Sequence, residues 1–398
     1  LTVTTAAPQC ANGTTIEQAL DVALGHHQAG RLAEAEAIYR QVLTHAPDHP
    51  DALHYLGVLA DQVGQPGAAI DLIGRAVAIH SANALYHSNL GDIYRRTGQL
   101  DRALDHLHHA IALEPGLAEA HKNLGTALND LGRREEAIAA YQQAIALRPT
   151  FATAYNRLGG ALRDLGRHDE AIAAFRGAVE HQPDLIDGHN NLGCVLKDQG
   201  RLEEAIDALQ RAIALRPAHV AAHNNLGNAL RDQGRTEDAI AAFHRAIAIH
   251  PSYATAYGNL AIALKEQGRI EDALACFRKA IALEPDLPKA ASNYLLTLHY
   301  HPGFDAQGLL AQHRQWAQQC AEPLAAEVRP HRNDRSSERT LRVGFVSADF
   351  RGHPVGRLLV PFFANHDRRR IAIVAYSDVR VPDALTAQLA ALADEWFV

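Results

Sequence analysis

One amide side chain recurs every 34 residues along much of this sequence: Asn89, Asn123, Asn191, Asn225, Asn259 and Asn293, interrupted by Arg157. An amide both donates and accepts, so a row of them can pair with the backbone of an extended peptide whatever that peptide's sequence. The competing reading is that the same asparagines only serve packing. Seven residues after several of them stand Asp130, Asp164, Asp198, Asp232 and Glu266, which read as a solvated acidic face before they read as selectors of basic or hydroxyl side chains. A second kind of chemistry centres on His353, in the loop Ala-Asp-Phe-Arg-Gly-His-Pro that follows a short run of β-branched and aromatic residues. The loop also holds Asp349 and Arg351. Asp349 is equally suited to capping a turn. His366 and Asp367 fall at the expected end of the next helix and read as surface structure.

The 24 histidines invite a metal hypothesis, but the two adjacent pairs, His26–His27 and His108–His109, have the wrong spacing. Neighbours on a helix point more than a quarter-turn apart, unlike ligands at i and i+4. No metal and no cofactor is expected. Cys10, Cys194, Cys276 and Cys320 lie far apart without a C-x-x-C spacing, as free thiols do in a reducing, cytoplasmic setting. The net charge of −7 argues against a nucleic-acid partner gripped by its phosphates. No apolar run is long enough to span a membrane, and residues 1–15 lack the basic start and apolar run of a signal peptide.

The elements that must hold these residues are legible from the period. Eight units of 34 residues start at Ile16, Pro50, Ala84, Ala118, Ala152, Ile186, Val220 and Ala254. Position 15 of each is Gly and position 20 is Ala in all eight; position 8 is Gly in six and position 32 is Pro in seven. A Gly at position 15 ends a first helix in a left-handed residue. A small residue at position 20 lets a second helix approach the first, and Pro closes that helix. This is the pattern of tetratricopeptide (TPR) helix pairs, which stack into an α-solenoid sharing one core. Position 6, the asparagine position, lies on the first helix, which lines the concave face of such stacks.

The expected organisation is a flexible tail over 1–15, eight repeats over 16–287, and capping helices with a linker over 288–340. A ninth repeat beginning at Pro288 fits only as far as Tyr294, and 295–301 should depart from the pattern. A helix carrying Trp316 is expected over 307–322, and the polar stretch 329–340 reads as linker. From residue 341 the pattern becomes strand (341–347), turn (348–354), helix (355–365), strand (371–376), helix (382–394) and strand (395–398). That alternation implies a parallel α/β sheet. Three strands in about sixty residues bury little core, so this region is expected to be part of a larger lobe.

The segment RVGFVSADFRGHPVGRLLVPFFANHD, following TPR repeats and a Trp-containing helix, resembles the opening of the catalytic region of the O-GlcNAc transferase family, glycosyltransferase family 41. The resemblance implies the first Rossmann-like lobe of a GT-B fold. It implies transfer of N-acetylglucosamine from UDP-GlcNAc to Ser or Thr of cytoplasmic polypeptides, with inversion and without a metal. SPINDLY-like relatives use GDP-fucose instead. It places His353 near acceptor and sugar, as the candidate catalytic residue, and makes Asn89, Asn123, Asn191, Asn225, Asn259 and Asn293 the acceptor-peptide ladder. The family's nucleotide contacts come mainly from a second lobe, so residues 1–398 alone are expected to be inactive. A TPR interaction scaffold without catalysis is the alternative.

Overall fold

The computed structural model describes residues 15–285, 287–322, 336, 339–379 and 382–398. The tail over 1–14, Cys10 and most of the linker over 329–340 therefore lie outside the described residues. The chain divides into two compact units between Trp316 and Ala317.

In the first unit, sixteen helices from Ile16–Gln28 to Ile270–Leu283 form eight antiparallel pairs. The eight glycines at position 15 all take positive φ, between 73° and 84°. This left-handed residue costs other side chains about 1–2 kcal/mol, so the turn selects glycine at the same point of every pair. Position 20 alanines are fully buried. Position 8 glycines lie against them: a Cβ on Gly193 would stand 3.1 Å from the Ala205 carbonyl oxygen and 2.5 Å from Leu209 Cγ. The second helices of repeats 4–8 share a further device. Arg133, Arg167, Arg201, Arg235 and Arg269 each precede the helix and pair with an acid three residues on, Glu136, Glu170, Glu204, Asp238 and Asp272. The acids occupy the first turn, where the helix dipole favours them.

First helices of successive repeats pack against one another along the whole stack, whereas second helices do so far less. The stack therefore curves with the first helices on its inner side, which puts position 6 there. Beyond repeat 8 the helix Pro288–Leu298 continues three residues past the point where the repeat pattern fails. Leu295 and Leu298 keep an apolar spacing and close a small core with Leu274, joined by Phe304, Leu309 and Trp316. The repeat consensus is lost there, but the helix is not. A second helix, Ala306–Trp316, follows and packs on the first.

The second unit is a three-stranded parallel sheet in the order β1 (Leu341–Ser347), β2 (Ile371–Ser377) and β3 (Glu395–Phe397). Helices Pro354–Asn365 and Ala384–Leu392 make the two crossovers and touch each other. Phe350, Phe363, Ile373, Ala375, Val379 and Leu389 form the core between helices and sheet. The opposite face exposes Val346, Tyr376 and Phe397, paired across the strands. Among the described residues, no helix is long and apolar enough to cross a membrane.

Candidate functional site

The asparagine row is joined to itself. Five of the six position 6 amides reach back 35 residues, to position 5 of the preceding repeat. Asn191 Nδ2 donates to Asn156 Oδ1 at 3.1 Å, Asn225 to Asn190 at 3.0 Å and Asn259 to Asn224 at 2.9 Å. Three identical Asn–Asn rungs thus span repeats 5–8. Toward the other end the partner changes. Asn123 is buried and donates to the Ser88 hydroxyl at 3.2 Å, and Asn89 donates to His54 Nε2 at 2.8 Å. Asn293 stands opposite Gly258, which has no side chain to pair with.

Asn224 and Asn225 are joined to each other, and Asn225 also donates to Cys194 Sγ at 3.1 Å, but the other amides of the C-terminal rungs have capacity to spare. Asn156 and Asn190 Nδ2 donate to nothing else among the described residues, and Asn191 and Asn259 Oδ1 accept from nothing else; all four residues are half-buried. The inter-repeat bonds fix each amide's rotamer, so the remaining donors and acceptors are pre-oriented. Neighbouring helices pack about 8–10 Å apart and an extended chain rises about 3.3 Å per residue. Successive rungs are therefore spaced for roughly every third residue of an extended polypeptide.

At the N-terminal end the same face is polar and more enclosed. A groove of about 180 Å³ is lined by Asp61, Asn89, Asp92, Arg96, Lys122 and Asn123, with Val58, Ile93 and Glu119. Arg96 pairs with Asp61 and Asp92, and Lys122 with Glu119. His54, beneath this groove's edge, is 2% exposed. Its Nε2 accepts from Asn89, so the neutral ring carries its proton on Nδ1, which has no partner. Burial drives its pKa down to about 4.

The acids seven residues beyond the asparagines are engaged by bases. Asp130 pairs with Arg95 across repeats at 2.8 Å, while Asp164, Asp198 and Asp232 pair with the preceding Arg163, Lys197 and Arg231. Only Glu266 lies as far as 4.0 Å from its base, Arg231.

In the second unit His353 caps the helix Pro354–Asn365. Its Nδ1 accepts from the Val355 backbone N–H at 3.3 Å and lies 3.6 Å from Asp349 Oδ2. With Nδ1 so occupied, the neutral ring bears its proton on Nε2, the nitrogen left free. Arg351 lies on the other side of Asp349 at 3.8 Å. The glycine of the His-Pro-Val-Gly run has a steric reason: a Cβ on Gly356 would fall 2.3 Å from the Arg351 carbonyl oxygen and 2.8 Å from that of Asp349. This loop leaves the carboxyl end of β1, the edge at which open α/β sheets bind ligands. The corresponding loop after β2 is tied to it by Asp383, which accepts from Gly352 N–H at 2.6 Å and caps the helix Ala384–Leu392. These hydrogen bonds, with Gly352 first, hold its carboxyl below the usual range.

His366 departs from the surface reading. Its side chain is 1% exposed, and its two nitrogens face the Phe363 carbonyl oxygen and Asp394 Oδ2. Asp394 also accepts from the Ile373 N–H, the main cause of its lowered pKa. The pair ties a helix end to the middle strand through a contact 28 residues distant, for which the sequence has no local signal. Another set of residues escaped the sequence reading. His87, His121, His189 and His223, at position 4, each set Nε2 about 3 Å from the carbonyl oxygen six residues earlier, stapling the loops between repeats. Their recurrence at 34 residues was the available signal. The adjacent pair His26–His27 engages Arg31, Tyr39 and Gln62. Among the described residues, no group of three or more His, Cys, Asp or Glu converges to hold a metal. Cys194 and Cys276 are free thiols with pKa raised by burial.

Comparison with known proteins agrees with the repeat architecture. Tetratricopeptide repeat models match residues 26–93 and 230–293, 150–218 and 190–254, and a TPR repeat model matches 91–132 and 125–162. Together they cover 26–293 without a gap, and the chain is a tetratricopeptide-repeat protein over that span. Among solved structures it is similar to a mutant O-GlcNAc transferase of Thermobaculum terrenum, with 30% identity, over 54% of this chain and 41% of that one, at a TM-score of 0.46. It thus spans about two fifths of that transferase's length. The Cut9–Hcn1 hetero-tetramer of the APC/C shares the fold alone, at 19% identity and TM-score 0.55 over 67% of this chain and 52% of that one. YrrB, a TPR protein with an unusual peptide-binding site, is 27% identical over 47% of this chain and 96% of its own, at TM-score 0.40. No curated protein matches.

Proposed function

We propose that this chain is the polypeptide-capturing part, with the beginning of the catalytic lobe, of a cytoplasmic protein O-glycosyltransferase that uses UDP-GlcNAc. The observation that carries the reading is the set of identical amide rungs on the inner side of the stack, each with a donor or acceptor to spare. Such a row grips backbone rather than side chains, as an enzyme with many protein substrates requires. Asn89, Asn123, Asn191, Asn225, Asn259 and Asn293 form the ladder, the C-terminal rungs contributing most because their amides are less enclosed. The transferase half of the reading rests on the resemblance of residues 342–367 to glycosyltransferase family 41 and on His353 lying in a sheet-edge loop.

In the proposed reaction the acceptor hydroxyl attacks C1 of the sugar, the C1–O bond to the diphosphate breaks with inversion, and the hydroxyl proton leaves to a base. His353 offers Nε2–H, a donor. Its role is then to orient the sugar or the acceptor oxygen by hydrogen bonding rather than to remove the proton. No metal is needed by any of these residues. The test is incubation of the full-length transferase to which this reading assigns residues 1–398, with a polypeptide acceptor and radiolabelled UDP-GlcNAc or, separately, GDP-fucose. Labelling from UDP-GlcNAc is the expected result. Labelling from GDP-fucose alone would move the protein to the SPINDLY-like branch, and acceptor binding without labelling from either would leave an interaction scaffold.

A further inference from the structure

The break in the asparagine ladder is chemically distinct from its rungs. Position 6 of repeat 5 is Arg157, and the residue 35 earlier, which five other rungs use as partner, is Lys122. Two cations replace an amide pair at this rung. Lys122 is neutralised by Glu119 at 2.8 Å, and Glu119 is shared with Arg148. Arg157 is exposed and forms no ion pair or hydrogen bond among the described residues. Among the described residues of the repeats' first helices, only Lys265 in repeat 8 shares this. Every other Arg and Lys on the first helices of repeats 3–7, namely Arg95, Arg96, Lys122, Arg163, Lys197 and Arg231, has a carboxylate within 4 Å. There is also room beside it: one turn along the same helix, a Cβ on Gly160 would meet nothing within 4 Å.

Resting on the reading of the ladder as a polypeptide site, we propose that Arg157 receives an acidic side chain, Asp or Glu, of the bound polypeptide. The rungs on either side hold backbone and are indifferent to sequence; this one supplies five N–H donors in a fork that matches a carboxylate. An otherwise permissive groove thereby acquires one selective position, set roughly three residues from the rung on each side.

The experiment is a binding titration of fluorescein-labelled 15-residue peptides composed of Ser, Thr, Ala and Val, with a single Glu walked along the sequence. A matched series carries Gln instead. For the wild-type chain, one or two Glu positions should bind about 1.5- to fivefold tighter than their Gln counterparts, the range for a partly exposed ion pair. The preference should shrink with added salt. In Arg157→Gln, which restores an amide to the ladder, the Gln series should bind as before while the Glu preference disappears. If Gln peptides bind wild type but no Glu position is favoured, or if the preference survives Arg157→Gln, the assignment of Arg157 is overturned and the ladder stands. If no peptide of either series binds, the polypeptide reading itself fails.

Discussion

The cap made by His353 can be separated from the role proposed for that residue in transfer. Its Nδ1 caps a helix and its Nε2 faces outward. His353→Asn keeps an acceptor where Nδ1 lies and removes Nε2. Transfer by the full-length enzyme should fall on the order of a hundredfold, the low end for removing one positioned hydrogen-bond donor, while the melting profile stays as in wild type. His353→Ala should lose activity to the same extent and also cost about 0.5–2 kcal/mol through the missing cap. Full activity in His353→Asn would reduce this residue to its cap. His54 sets a different test. Its folded pKa is about 4, against about 6.5 in an unfolded chain. Below about pH 6.5 the unfolded state gains a proton that the folded state refuses, so stability is level above that pH and declines toward pH 4, by at most about 1.4 kcal/mol per unit. His87 and His106, also lowered by burial, act with the same sign. Urea melts between pH 7.5 and 4.5 should show the decline, and His54→Gln should flatten part of it. An unchanged slope in that variant would show that the Nδ1–H finds a partner.

At the scale of elements, the helix pair is set by small residues at fixed points. Gly193 lies against Leu209 and the Ala205 carbonyl oxygen, both fully buried, so Gly193→Ala leaves neither neighbour space to move. It should cost about 1–3 kcal/mol, as overpacked cores do. Gly160→Ala, with open space around the added methyl, should be neutral or slightly stabilising in the same urea melts. Equal effects of the two would mean that the close approach at position 8 does not govern the pair. These elements were legible in the sequence because each is written eight times. The strands and helices of the second unit were also legible, to within two residues at their boundaries, because the period changes from helical to strand-like at residue 341. What stayed hidden was the orientation of side chains whose partners lie in the next element. Asn191 could be placed on a face from the period, but that half its amide is committed to Asn156 depends on how repeats pack. His366, at a helix end, read as surface structure because its acceptor, Asp394, lies 28 positions on.

For the whole molecule, the decisive property is that the amide rungs are unevenly distributed along a regular stack. Repeats 5–8 present nearly identical rungs, while repeats 2–4 present histidine, serine and ion pairs at the same positions. A polypeptide lying along this face would be gripped without preference over one stretch and tested for charge over another. The most direct measurement is calorimetric titration of an unstructured Ser/Thr-rich polypeptide into the wild-type chain and into the triple variant Asn191→Ala, Asn225→Ala, Asn259→Ala, with circular dichroism alongside. Three hydrogen-bonding positions at about 0.5–1.5 kcal/mol each predict binding weaker by about tenfold or more, with helicity retained because Ala favours the helix. Unchanged affinity in a fully helical triple variant would contradict the account and leave the asparagines as the bonds that hold one repeat to the next.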